Sequence, residues 1–148
     1  MNIANFLTTK NEVAYVFDDF TLRQGLEKMH YHKYAAIPVL SRDNKYIGTI
    51  SEGTFLWFIM GDYYEELSSL EDDKPSIQKL EDIKIADVVT IDKNPPVPIT
   101  AKMDEVLLKA VDKNFIPVID DRQYFIGIVK RRDIIKYFIN KPMLSGLT

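Results

Sequence analysis

The stretch Ala35-Ala36-Ile37-Pro38-Val39, followed by Tyr46-Ile47-Gly48-Thr49-Ile50, returns later in the chain. It comes back as Asn114-Phe115-Ile116-Pro117-Val118, followed by Phe125-Ile126-Gly127-Ile128-Val129. The interval from Pro38 to Pro117 equals that from Gly48 to Gly127. An unchanged interval means one supersecondary unit written twice, and such a repeat sets the architecture before local propensities do.

Working outward, each copy reads as helix, strand, turn, strand, helix. Thr21-Leu22-Arg23-Gln24 has the pattern of a capping box, in which Thr21 and Gln24 each satisfy the other's free backbone N–H. Leu22, Leu26 and Met29 then share one helical face. Ala36 to Leu40 is a short apolar strand. Ser41-Arg42-Asp43-Asn44 is a turn, since Asp and Asn tolerate the backbone angles it needs. Lys45 to Ile50 returns, and Phe55, Leu56, Phe58 and Ile59 give a second helix its buried stripe. In the second copy Met103, Leu107 and Ala110 mark the first helix and Ile116 to Ile119 the strand. Asp120-Asp121-Arg122 is the turn and Tyr124 to Val129 the return. Ile134, Ile135, Tyr137 and Phe138 form the last stripe. Leu22 matches Met103 and Leu26 matches Leu107, so the second copy is two residues shorter between helix and strand.

The 148 residues suffice for one compact domain or for two half-sized units sharing a core. A half-unit with so few strands cannot bury both faces of its sheet alone. The repeat therefore predicts an internal pseudo-dimer with two equivalent clefts. A net charge of −3 argues against a broad nucleic-acid footprint. The absence of cysteine excludes disulfides and thiolate metal sites. The N-terminus lacks the basic and apolar regions of a signal peptide, and the longest apolar run, Phe55 to Met60, is too short for a membrane span. The expectation is a soluble cytoplasmic protein that binds neither nucleic acid nor membrane. Gly61 to Asp82 carries eight acidic residues against Lys74 and Lys79 and reads as a solvated linker, partly helical.

These residues resemble a tandem pair of CBS domains, a Bateman module. The matching pattern is an apolar strand ending in Pro-Val, a turn, a strand of apolar-Gly-apolar-apolar form, then a helix. It fits Ala35 to Ile59 and Asn114 to Ile139, and the resemblance extends from about Val13 to Ile139. The chain is also similar to stand-alone CBS-pair proteins of Firmicutes-type bacteria, some of which bind cyclic di-AMP. That likeness rests on Val13-Ala14-Tyr15-Val16, Tyr34-Ala35-Ala36-Ile37-Pro38 and Lys130-Arg131-Arg132. The resemblance implies an α+β fold, with two pseudo-twofold-related βαββα units packed sheet to sheet. Residues 1–60 would hold an N-terminal segment and the first repeat, 61–82 the acidic linker, and 83–148 the second repeat and tail.

The resemblance further implies that each cleft takes its base-binding strand from one repeat and its sugar-binding helix start from the other. Cleft one would combine Val13, Ala14, Tyr15, Tyr34, Ala35, Ala36 and Ile37 with Ile128, Lys130, Arg131, Arg132 and Asp133. The two small alanines leave room for a flat purine, and Tyr34 is placed to stack or to cap. Asp133 occupies the family's ribose position. The basic triplet opens a helix whose free N–H groups favour phosphate. Lys130 departs from the family's Ser or Thr at that helix start. Cleft two would combine Val97, Pro98, Ile99, Asn114, Phe115 and Ile116 with Ser51, Glu52, Gly53 and Thr54. There Thr54 replaces the ribose carboxylate, Glu52 opposes phosphate and Phe115 fills space, so this cleft is expected to be empty or weak.

Other chemistry finds little support. His30 and His32 lack ligand spacing for a metal. Ser51 has no nucleophile elbow. Trp57, beside Phe55 and Phe58, makes the second helix too aromatic for one buried stripe and points to a subunit contact. The reading is a regulatory sensor without catalysis, cofactor or metal. It binds AMP, ATP or cyclic di-AMP, forms a homodimer and relays ligand state to a protein partner. The alternative is a structural dimerisation module indifferent to nucleotides.

Overall fold

A computed structural model of the chain describes residues 2–60 and 76–140. The chain divides into two compact units: Met1–Val13 with Pro96–Thr148, and Ala14–Pro95. Residues 61–75, which hold most of the expected acidic linker, lie outside the described residues.

In the Ala14–Pro95 unit, β2 (Val16–Phe17) runs parallel to β3 (Ala36–Leu40), which pairs antiparallel with β4 (Tyr46–Ser51). Helix α1 (Leu22–His32) carries the expected capping box. The Thr21 amide donates to Gln24 Oε1 at 2.9 Å, and the Gln24 amide donates to Thr21 Oγ1 at 3.2 Å. The helix stops at Lys33, whose φ of 58° is left-handed. Its N–H returns to His30 and the next, from Tyr34, to Met29 at 2.9 Å, an end that satisfies the last carbonyls. Asn44, at φ 69°, makes the β3–β4 turn. Helix α2 (Glu52–Met60) follows.

Strand alternation sends Ile37, Val39 and Ile50 to one face, where they pack with Val16, Leu22, Met29 and Phe55. Burying a side chain such as Phe55 stabilises by about 2–3 kcal/mol. The chain after residue 75 completes this core. Ser76 caps a 3-10 turn, Ile77–Asp82, that contributes fully buried Leu80, and Ile85 follows it in. The Leu22 amide donates to Ile83, and the Ile85 and Ala86 amides donate to Phe20 and Asp18. These bonds hold the segment across the start of α1.

In the other unit the sheet order is β1-β7-β6-β5. Here β1 is Leu7–Thr9, β5 Val97–Pro98, β6 Phe115–Ile119 and β7 Phe125–Lys130. The β6–β7 hairpin repeats that of β3–β4, down to a register shift at Val118/Ile119 matching that at Val39/Leu40. Its left-handed turn residue is Gln123, φ 70°, one position past the expected turn. Helices α3 (Met103–Ala110) and α4 (Arg131–Asn140) complete the unit. Ile3, Val97, Val106, Ile116, Val118, Val129 and Ile134 form its core. Helix α3 has eight residues against eleven in α1, so the helix absorbs the shortening that the sequence shows.

Two expected stripes are narrower than the apolar residues suggest. In α2, Phe55 is buried and Phe58 and Ile59 half-buried, whereas Leu56 and Trp57 are 58% and 63% exposed. In α4, Ile134 is buried and Tyr137 half-buried, but Ile135 and Phe138 are each 50% exposed. One helical face takes only positions three and four apart, and adjacent apolar residues fall off it.

Candidate functional site

The sugar and phosphate side of the expected cleft one begins where β7 becomes α4. Lys130 ends the strand, Arg131 opens the helix, and Asp133 stands in its first turn. A carboxylate there is favoured by the positive helix end. The Arg131 amide donates to the Asn114 carbonyl at 2.9 Å, just as the Glu52 amide donates to Ala35 at 3.0 Å in the first repeat. Both junctions are therefore set by the hairpin before them.

The Arg131 guanidinium turns towards its own repeat. Its Nη2 donates to Asn114 Oδ1 at 2.6 Å, and its Nη1 donates to the carbonyls of Val111 at 3.3 Å and Ala110 at 3.5 Å. The side chains of Lys130, Arg132 and Asp133 make no hydrogen bond or ion pair among the described residues. Asp133 lines a groove of about 770 Å³ with Lys136, Tyr137 and Asn140 on α4 and Asn5, Phe6, Leu7 and Thr8 opposite. The groove is held in shape by Tyr137 and Phe6, whose rings meet edge to face at 5.3 Å. Lys136, Tyr137 and Asn140 were missed in the sequence. The signal was present, since they follow Asp133 at the three, four and seven residue steps of a helix face. Asn5 to Thr8 had no local signal, because only the pairing of β1 with β7 brings them there.

Val13 and Ile128 are both buried. Val13 follows a 3-10 turn, its amide donating to Lys10 at 3.2 Å. Ile128 sits in β7 opposite Pro117 and Thr8. Along β7 it shares a face with Lys130, away from the Val129 side that packs in the core.

The expected base-binding residues lie in the other unit. The Ala14 amide meets Tyr34 Oη at 3.5 Å, so these two are brought together. Tyr34 is half-buried with its ring 5.6 Å from that of His32. Ala35 is exposed and Ala36 half-buried at the head of β3. Ile37 is a core residue with no exposed surface. Alternation turns its side chain inward, so it has only backbone to offer. Tyr15 is half-buried, edge-on to Phe17 at 5.7 Å, with Lys28 Nζ 5.3 Å from its ring. Partial burial holds the Lys28 ammonium below the usual lysine range.

The start of α2 repeats the arrangement with other side chains. A pocket of about 460 Å³ is lined by Ser51, Gly53, Thr54, Trp57, Phe58, Asp87, Val88 and Lys93. Thr54 stands at the repeat position of Asp133, Trp57 at that of Lys136 and Phe58 at that of Tyr137. The helix position of Asp133 thus carries a hydroxyl in place of a carboxylate.

Comparison with known proteins gives this arrangement its family. The CBS domain model matches residues 4–61 and 80–140. The chain belongs to the CBS-domain family, as a tandem pair in a mixed α/β fold of two sheets with helices. Among solved structures it is similar to a hypothetical conserved protein of Geobacillus kaustophilus: 25% identity, TM-score 0.83, covering 96% of this chain and 98% of that one. It is also similar to the CbpB protein of Listeria monocytogenes, solved in complex with c-di-AMP: 28% identity, TM-score 0.77, covering 93% and 94%. An uncharacterized protein of Methanocaldococcus jannaschii is 22% identical over 91% of this chain, which spans 49% of that relative's length. No helix among the described residues is long and apolar enough to cross a membrane.

Proposed function

We propose that the protein is a regulatory sensor that binds an adenine nucleotide between its CBS repeats and passes ligand state to a protein partner. The observation that carries this reading is the start of α4. Lys130, Arg132 and Asp133 follow closely in sequence there, their side chains without partners among the described residues, and Asp133 lines a groove. Two cations and a helix N-terminus suit phosphate, and a carboxylate three residues on suits ribose hydroxyls. A charge-assisted bond to phosphate contributes about 1.5–3 kcal/mol, so two supply a large part of the roughly 8 kcal/mol of a micromolar complex.

The likeness to a CbpB protein solved with c-di-AMP places that dinucleotide first for testing, and its two phosphates suit the basic triplet. Asp133 favours AMP or ATP, whose ribose keeps both hydroxyls free. The base would lie against Ala14, Tyr15, Tyr34, Ala35, Ala36 and the backbone of Ile37, with Val13 and Ile128 beside it. The second site, around Thr54, binds weakly or not at all. The protein works in the cytoplasm as a homodimer, without catalysis. Calorimetric titration with cyclic di-AMP, AMP and ATP tests the reading, and no heat from any of them at high micromolar protein contradicts it.

A second reading is favoured by one observation. Leu56, Trp57, Ile135, Phe138 and Ile139 are exposed on α2 and α4, as expected of a dimerisation module indifferent to nucleotides. A thermal-shift screen separates the two, since ligand at 100 times its dissociation constant adds about 2.7 kcal/mol to the sensor and nothing to the scaffold.

A further inference from the structure

The two repeats close their first helices differently. Helix α1 ends on left-handed Lys33, whose backbone caps the final turn. Helix α3 is shorter and its C-cap residue, Val111, stays in the right-handed region, so the chain does not fold back to cap it. The guanidinium of Arg131 serves instead, reaching the carbonyls of Ala110 and Val111 while Asn114 Oδ1 holds it at 2.6 Å. The first repeat has Glu52 at the position of Arg131 and Ala35 at that of Asn114, so it has no such strap.

All three acceptors of Arg131 are neutral, and the two carbonyl contacts are long. Hydrogen bonds from guanidinium to an ionised acceptor are roughly twice as strong as those between neutral groups. A phosphate at the start of α4, flanked by Lys130 and Arg132, is therefore the better partner for the same side chain. We propose that Arg131 is a ligand-operated latch: phosphate binding draws it off the end of α3, and the uncapped last turn loosens. Leu108 and Val111, 75% and 77% exposed on that turn, then carry the ligand state to the surface. The inference rests on the nucleotide-binding reading and supplies its relay. It is a population shift, because phosphate interacts with the released guanidinium and not with the latched one.

The test is amide hydrogen exchange across residues 107–114, with cyclic di-AMP and AMP each titrated by calorimetry on the same protein. The expected result is binding heat together with exchange about threefold faster or more in this segment. Heat without faster exchange there overturns the latch and leaves the nucleotide reading standing. No heat from either nucleotide overturns both. The Asn114→Ala variant gives an independent arm. Without its shortest anchor Arg131 is released in advance, so exchange at the end of α3 is fast before any nucleotide is added. The bound nucleotide is then held roughly three- to tenfold more tightly than by the wild type. Unchanged or weaker affinity in that variant overturns the latch.

Discussion

The carbonyl oxygen of Thr90 lies 2.6 Å from where a β-carbon on Gly48 would stand. In the second repeat the carbonyl of Thr8 lies against Gly127 in the same way. The duplicated glycine is thus a gap through which a neighbouring stretch of backbone passes alongside the hairpin. Gly48→Ala is expected to cost about 2–3 kcal/mol, and Gly127→Ala at least as much, because backbone rather than a flexible side chain must give way. Urea unfolding of each variant measures this, and a loss under 0.5 kcal/mol, roughly the scatter of neutral surface changes, would contradict it.

The returning strands differ at one aromatic position. Tyr46, in the first repeat, donates its hydroxyl to the Asn94 carbonyl at 2.7 Å and lies 2.8 Å from Thr49 Oγ1. Burial pushes its phenol far above the usual tyrosine range. Phe125 occupies the matching position in the second repeat and is 1% exposed. Tyr46→Phe should cost about 1–2 kcal/mol by removing a buried hydrogen bond. Phe125→Tyr should be destabilising too, by about 1–3 kcal/mol, since it adds a hydroxyl at a fully buried position already filled by the ring. Thermal unfolding of both reads the outcome, and a neutral Tyr46→Phe would show that the bond contributes nothing net.

Gln123 holds its turn at φ 70°, where Asn44 sits at 69° in the other repeat. Glutamine gains nothing from its side chain in this region, whereas asparagine tolerates it. Gln123→Gly is expected to stabilise by about 0.5–1 kcal/mol and Asn44→Gly by less. A lower melting temperature for Gln123→Gly would argue against a strained turn.

Arg42 Nε and Nη2 donate to both carboxylate oxygens of Asp19, at 2.7 and 3.0 Å. That hydrogen-bonded pairing lowers the Asp19 pKa below the usual aspartate range and raises that of Arg42. A depressed folded-state pKa means the contribution is present above the unfolded pKa and is lost as pH falls through the folded one. Asp19→Asn should therefore lower stability slightly at neutral pH, and its difference from wild type should shrink as pH falls below the usual aspartate range. The effect should also shrink in high salt, because the pair is exposed. A difference that stays constant as pH falls from neutral through the aspartate range and below it would contradict this assignment.

The repeat was legible because its marks answer to backbone constraints. Proline and glycine recur where the hairpin needs them, and the Thr21–Gln24 box forms as the local pattern requires. Burial was less legible. Leu56, Ile135 and Phe138 have the residue types of a core and stand exposed, because a side chain's hydrophobicity does not say what covers it. Val106 shares the face of Met103 and Ala110 and is fully buried, an omission that helical spacing alone repairs. At the site, Asp133 marked the start of α4, and spacing from it extends to Lys136, Tyr137 and Asn140. The engagement of Arg131 had no sequence signal. It depends on the end of α3 meeting the β7–α4 junction, which only tertiary packing brings about.

The account stands on Lys130 and Arg132 meeting a ligand phosphate, and because neither has an internal partner among the described residues, removing them should leave the fold intact. Titration of cyclic di-AMP into wild type, Lys130→Ala with Arg132→Ala, and Thr54→Ala measures this directly. The expected result is an affinity about tenfold or more weaker in the double variant and unchanged in Thr54→Ala. Equal losses in the two variants, or no loss in either, would contradict the assignment of the nucleotide to the start of α4.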